Sequence, residues 1–103
     1  MNQIIDRTVQ IAHDYLGAFG FEDDKIDSTV AKGIAELELY LDKLRELINK
    51  EFDFDTVDRV LHTIKGILFQ LGNSDDGRSI DQLRDEVNAE NYKIKIEDLI
   101  DKL

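Results

Sequence analysis

Residues 57–72 read VDRVLHTIKGILFQLG. Apolar side chains recur through this segment at steps of three and four, which is the spacing of one face of an α-helix. They are Val57, Val60, Leu61, Ile64, Leu68 and Leu71. At roughly 100° per helical residue, His62 falls on the opposite side of the same helix. The segment therefore predicts an amphipathic helix whose buried stripe points away from an exposed imidazole.

Two residues about one helical turn after His62 bear on its chemistry. Lys65 lies on the same face as His62, and Gly66 lies just past it. A glycine in a helix interior costs roughly 1 kcal/mol relative to alanine, so its position beside an exposed histidine calls for a reason. Access for a phosphate or for another backbone is such a reason. Lys65 would offset the negative charge of phosphoryl oxygens. The arrangement of His62, Lys65 and Gly66 is therefore suited to carrying a phosphoryl group on the imidazole.

The pattern His-x-x-Lys-Gly at residues 62–66 resembles the core motif of histidine-containing phosphotransfer (HPt) domains, and Leu71-Gly72 falls where that family has a similar pair. Residues 67–69 depart from the family, because Ile, Leu and Phe stand where small residues are common. The resemblance implies that His62 accepts a phosphoryl group. It also implies that Mg²⁺ and the aspartate belong to a partner receiver domain, so this chain would need no cofactor of its own.

Further amphipathic patterns flank this helix. We expect a first helix over about Asn2 to Ala18 and a second from an N-cap at Asp27 or Ser28 to about Lys50. The third helix should be capped by Asp53 or Asp55 and end near Gly72, and a loop should follow at residues 73–77. A fourth helix is expected from about Ser79 to Asn91, and a short last helix ending at Leu103. Residues 93–96 alternate like a strand, but a lone four-residue strand would have no partner.

These elements predict one all-α domain over residues 1–103. The expected architecture is an antiparallel up-and-down four-helix bundle with an additional short terminal helix. The second helix also admits a dimeric coiled coil, but its repeat is shorter than the three to four heptads that would support one. Packing inside a monomer is therefore favoured.

Composition narrows the class of protein. The chain has no cysteine, which excludes disulfides and thiolate metal sites. A net charge of −10 argues against nucleic acid and anionic membranes as partners. No stretch approaches the ~20 apolar residues of a membrane span and no signal segment is evident, so a cytoplasmic protein is expected. No ATP-binding signature or metal cluster occurs, and kinase or ATPase activity is not expected.

The functional expectation is a phosphorelay module that exchanges a phosphoryl group between His62 and a receiver-domain aspartate or takes one from a sensor histidine kinase. On the helical wheel Arg59 and Phe69 lie near His62, so a partner should touch both, unless Phe69 folds inward and seals the core. A polar residue of the fourth helix should orient the imidazole, and the candidates are Asp81, Arg84, Asp85 and Asn88. The alternatives are an HPt-like helical adaptor without phosphotransfer and a plain structural bundle.

Overall fold

Helices account for nearly all of the computed structural model, which describes residues 3–49, 53–88 and 90–101. These residues form five helices and no strand: α1 (Gln3–Ala18), α2 (Asp23–Ile48), α3 (Phe54–Gln70), α4 (Ser74–Glu86) and α5 (Tyr92–Asp101). They form a body of 46 × 22 × 21 Å. The helix ends predicted at Asn2, Lys50 and Leu103 lie outside the described residues. No helix in the described ranges is long and apolar enough to cross a membrane.

The long helix α2 is the centre of the packing. It contacts α1, α3 and α5, and α3 in turn contacts α4. The apolar stripe of α2 is buried by helices of the same chain; its buried residues are Ile26, Val30, Leu37, Leu41, Leu44 and Leu47. The stripe therefore serves as an interior surface of this domain. The alternating segment 93–96 is helical, and Ile96 of α5 joins the same core.

Helix α2 begins at Asp23, four residues before the earlier of the two predicted caps. Residues 23–26, which precede both predicted caps, are therefore helical. Asp23 and Asp24 occupy the first turn, where negative side chains are favoured by the helix dipole. Extending the helix to this point also places Ile26 in the core. Phe19, which follows α1, is 64% exposed, and its ring centroid lies 5.0 Å from that of Tyr15.

The two ends of α3 follow local capping rules. Asp53, one of the two predicted caps, accepts a hydrogen bond from the backbone N–H of Thr56 at 2.8 Å. At the other end Gly72 has a φ of +84°, a conformation that glycine adopts without strain. The N–H of Asn73 donates to the carbonyl of Leu68 at 2.8 Å, completing a Schellman turn. The chain consequently leaves α3 in a tight, fixed turn.

The segment Asn73–Gly77, predicted to be a loop, forms the cap and first turn of α4. Asn73 is the N-cap, and its side-chain oxygen accepts from the N–H of Asp76 at 3.3 Å. Asn, Ser and Asp favour both turns and helix starts, so composition could not separate the two. The predicted end of α4 was also wrong. The helix ends at Glu86, and the C-cap residue Val87 is extended and buried.

A buried polar cluster joins α1 to the start of α4. Asn73 is 1% exposed, and its amide donates to the Thr8 hydroxyl at 2.8 Å and to Asp76 at 2.7 Å. Thr8 donates to the carbonyl of Ile4 at 2.7 Å. Arg7 donates to both carboxylate oxygens of Asp76, at 3.1 and 3.0 Å. Each buried polar group therefore has a partner, and α4 is attached to α1 by specific bonds.

Candidate functional site

His62 lies on the exposed face of α3. The opposite face carries the core stripe, in which Leu61, Ile64 and Leu68 are fully buried. The remaining stripe residues are buried as well; they are Val57, Val60 and Leu71. The orientation expected from the apolar spacing is therefore the one observed.

Arg84 of α4 contacts the imidazole directly. Its Nη1 lies 3.0 Å from Nδ1 of His62. Of the four candidates that the sequence left open, Arg84 is the residue with this contact. The Asn88 side chain is used elsewhere, because its oxygen accepts from the backbone N–H groups of Glu90 and Asn91.

Asp58 holds Arg84 in this place. The guanidinium donates from Nε to one carboxylate oxygen at 2.9 Å and from Nη2 to the other at 3.2 Å. This hydrogen bonding is the main reason that the pKa of Asp58 lies below its usual value, while partial burial acts in the opposite direction. The same bond raises the pKa of Arg84. A bidentate pair of this kind fixes orientation as well as distance.

Lys65 is also paired with α4. Its ammonium nitrogen lies 3.1 Å from Oδ1 of Asp81, and the side chain is only 21% exposed. The same oxygen of Asp81 lies 3.6 Å from Nη1 of Arg84. A line of alternating charges thus runs from Asp58 through Arg84 and Asp81 to Lys65. The positive charge of Lys65 is near His62 in sequence but already has an anionic partner.

Gly66 leaves open space on the surface of α3. A Cβ atom built at this position would meet no neighbouring atom within 4 Å. The contrast is Gly33 of α2, where a Cβ atom would lie 2.7 Å from a methyl carbon of Leu71. The glycine at position 66 is therefore not required by packing within the chain, which agrees with the access argument made from the sequence.

The two residues expected to contact a partner are both exposed. Arg59 is exposed, and its backbone carbonyl accepts from the hydroxyl of Thr63 at 3.1 Å. Phe69 is 39% exposed, and its ring rests against Gly77 of α4. Phe69 thus covers the contact between α3 and α4 and still presents part of its ring to solvent.

His13 has different surroundings. It is half-buried on α1, and its Nδ1 lies 3.7 Å from a carboxylate oxygen of Asp27 on α2. This geometry makes a weak ion pair when the ring is protonated. Among the described residues, no group of three or more His, Asp or Glu side chains is arranged to hold a metal ion.

The sequence does not predict the Asp58–Arg84 pair, although the position of Asp58 near His62 can be read from the helical spacing. Asp58 precedes His62 by four residues and therefore lies on its face of α3. The position of Arg84 depends on the register of α4, which begins earlier than predicted.

Comparison of the chain with protein-family models, with curated proteins and with solved structures gave no match.

Proposed function

We propose that this chain is a histidine phosphotransfer module of a multistep phosphorelay. The observation that carries the proposal is an exposed imidazole opposite a buried stripe, with open space at Gly66 one turn away. In the proposed reaction a lone pair of a His62 ring nitrogen forms a bond to phosphorus. The bond from phosphorus to the receiver's aspartate oxygen breaks, and its electron pair stays on the carboxylate.

The proposed architecture is an antiparallel up-and-down bundle of α1 to α4 with α5 as an additional helix. Short connections between successive helices favour antiparallel neighbours. The contacts of α2 with α1 and α3, and of α3 with α4, agree with this order. Such a bundle would hold His62 on a rigid helix that is supported by a neighbour on each side.

The proposed partners are a response-regulator receiver domain and a sensor histidine kinase, with the chain acting as a cytoplasmic monomer. The receiver would supply both the aspartate and its Mg²⁺, so this chain would contribute only the acceptor and its surroundings. Lys65 would neutralise charge on the phosphoryl oxygens, and Gly66 would give access. Arg59 and Phe69 would contact the receiver, since each lies near His62 on the outer face of α3.

The test is incubation with a receiver domain that carries labelled phosphate on its aspartate. We expect acid-labile, alkali-stable label on His62. His62→Gln should abolish labelling with helix content and melting temperature nearly unchanged, because the residue is exposed. His13→Gln is the matched control and should be labelled normally. Retained label in His62→Gln would overturn the assignment.

The alternative function is an HPt-like adaptor that binds a signalling partner without phosphotransfer. The exposed part of Phe69 favours it, because a partly exposed aromatic side chain suits the centre of a modest transient interface. The two functions give different results in one experiment. An adaptor would bind the receiver without accepting label, and its binding would be weakened by Phe69→Ala but unaffected by His62→Gln.

A further inference from the structure

The contact between Arg84 and His62 determines where the ring proton lies. A guanidinium has only N–H donors and no acceptor. Nδ1 of His62, 3.0 Å from Nη1 of Arg84, must therefore be the acceptor and must hold a lone pair. In a neutral imidazole the other nitrogen then carries the proton. The geometry therefore corresponds to the tautomer that is protonated at Nε2.

In this tautomer neither nitrogen of His62 is ready to attack phosphorus. Nucleophilic attack requires a free lone pair on nitrogen. Nε2 carries the proton, and the lone pair of Nδ1 points at Arg84. An imidazolium ring, which has no lone pair at all, could not accept this hydrogen bond. The arrangement is therefore a resting one for a residue that accepts phosphoryl groups.

Arg84 is held in position by more than its contact with His62. Asp58 on α3 takes two of its donors, and Asp81, one turn before it on α4, lies 3.6 Å from Nη1. The side chain is 22% exposed. Unlike a long surface side chain that moves freely between rotamers, this arginine has a preferred site between two carboxylates and the imidazole.

We propose that Arg84 regulates His62 by stabilising the resting tautomer. The effect on transfer rests on the phosphotransfer function proposed above, whereas the tautomer does not. For reaction, Arg84 leaves Nδ1, Nε2 loses its proton to water and Nδ1 gains one from water, with no net change. Because Nδ1 is the ring nitrogen on the side of Arg84 and α4, the proposal assigns the attack to Nε2, whose lone pair forms the N–P bond as the P–O bond of the donor breaks. An incoming acyl phosphate is an anion, so it can accept the hydrogen bond that Nη1 of Arg84 no longer donates to His62.

The first experiment measures the tautomer by ¹⁵N chemical shifts of the His62 ring at a pH where the ring is neutral. We expect the Nε2–H form in the wild type and in Arg84→Lys, which keeps a donor without an acceptor. Arg84→Gln offers a carbonyl oxygen, so it should populate the Nδ1–H form. Arg78→Gln is the matched control, because Arg78 is an exposed arginine of α4 paired with Asp75, and it should leave the tautomer unchanged.

The second experiment measures the rate at which the same proteins accept phosphate from phosphoramidate, which needs no protein partner. If the resting tautomer exceeds the reactive one about tenfold, its removal raises the rate by up to about tenfold. We therefore expect faster labelling of Arg84→Gln and a normal rate for Arg78→Gln. Backbone amide spectra of the same samples would establish that each variant is folded.

Three results would overturn parts of the proposal. An Nδ1–H ring in the wild type would refute the tautomer assignment. A rate for folded Arg84→Gln that equals or falls below the wild-type rate would refute regulation by Arg84. If no variant accepts phosphate while the tautomer still follows residue 84, then the phosphotransfer function and its regulation are wrong and the tautomer assignment stands.

Discussion

The ring of Phe69 lies against the backbone of Gly77, so that a Cβ atom at Gly77 would be 3.2 Å from each of three ring carbons. This contact joins α3 to the first turn of α4, and it is made by the side chain that is expected to contact a partner. Because Phe69 is also 39% exposed, its ring can pack against α4 and still contact a partner. The two roles can be separated by mutation.

Phe69→Ala is expected to lower the free energy of unfolding by about 2 kcal/mol, less than a full core truncation, because only part of the ring is buried. It should also weaken binding to the receiver. Urea unfolding and receiver titration measure the two effects. Unchanged receiver affinity in the folded variant would remove Phe69 from the interface.

Gly77→Ala provides the control for the packing role. Alanine gains roughly 1 kcal/mol of helix propensity over glycine, but in the wild type the ring of Phe69 must shift to admit the methyl group. We expect the full gain only in the Phe69→Ala background. A double-mutant cycle measures this coupling. Additive effects would mean that the ring moves aside at no cost.

Two helical glycines should respond to alanine with opposite signs. Gly66→Ala should stabilise the protein by about 1 kcal/mol, since its new methyl group meets open space. Gly33→Ala should destabilise it, because overpacking against the buried Leu71 costs roughly 1–3 kcal/mol and exceeds the propensity gain. Thermal or urea unfolding of both variants measures the difference.

Gly66→Leu tests access to His62 separately from stability. The helix should remain stable, since leucine has a higher helix propensity than glycine, while the larger side chain should obstruct an approaching receiver. The phosphorylated receiver should label Gly66→Leu more slowly than the wild type. The labelling of Gly66→Ala should be reduced less. If Gly66→Leu accepted phosphate at the wild-type rate, open space at this position would not matter for transfer.

The pairing of Lys65 with Asp81 predicts opposite kinetic effects. Lys65→Ala should slow transfer while changing stability by less than about 1 kcal/mol, because the pair is partly exposed. Asp81→Asn should release the ammonium toward the phosphoryl group and quicken transfer. Transfer rates from one phosphorylated receiver allow the comparison. A slower Asp81→Asn protein would indicate that Asp81 positions the lysine instead of competing for it.

The Asp58–Arg84 pair should make stability depend on pH. The folded-state pKa of Asp58 is lowered, chiefly by its hydrogen bonds from Arg84, so the unfolded chain binds its proton first as pH falls. The contribution is complete above the unfolded pKa of about 3.9 and is lost as pH falls through the folded value. Urea unfolding should therefore give a wild-type advantage over Asp58→Asn at neutral pH that shrinks in acid. Arg84→Gln removes the guanidinium that bonds Asp58, so it should lose the same pH-dependent advantage.

The helical class and the direction of His62 could be predicted because both follow from the spacing of the apolar residues alone. The stripe from Val57 to Leu71 needs burial, and the residue at position 62 is then directed outward whatever the neighbouring helices do. The start of α3 could likewise be narrowed to a cap at Asp53 or Asp55 and its end placed near Gly72, since a capping side chain and a left-handed glycine act within a few residues.

The start of α4 could not be predicted in the same way. Asn73 and the residues after it suit a loop or a helix start, and the bonds of Asn73 include one that no local pattern contains, from its amide to the hydroxyl of Thr8, 65 residues away. That choice decides which α4 side chain reaches His62. The helix predicted from Ser79 to Asn91 contains Arg84, but its register against α3 is not predicted, so Arg84 was one of four candidates for the contact with Nδ1.

The cluster formed by Arg7, Thr8, Asn73 and Asp76 gives α1 an influence beyond its own packing. The cap that starts α4 is satisfied by α1 at one end of that helix, and Arg84 stands near its other end, ten residues after Ser74. Helix α4 is thus bonded to α1 at its start and to Asp58 of α3 through Arg84 near its end. The first helix of the chain therefore helps to fix the helix whose arginine contacts His62, although it makes no contact with the imidazole in the bonds described above.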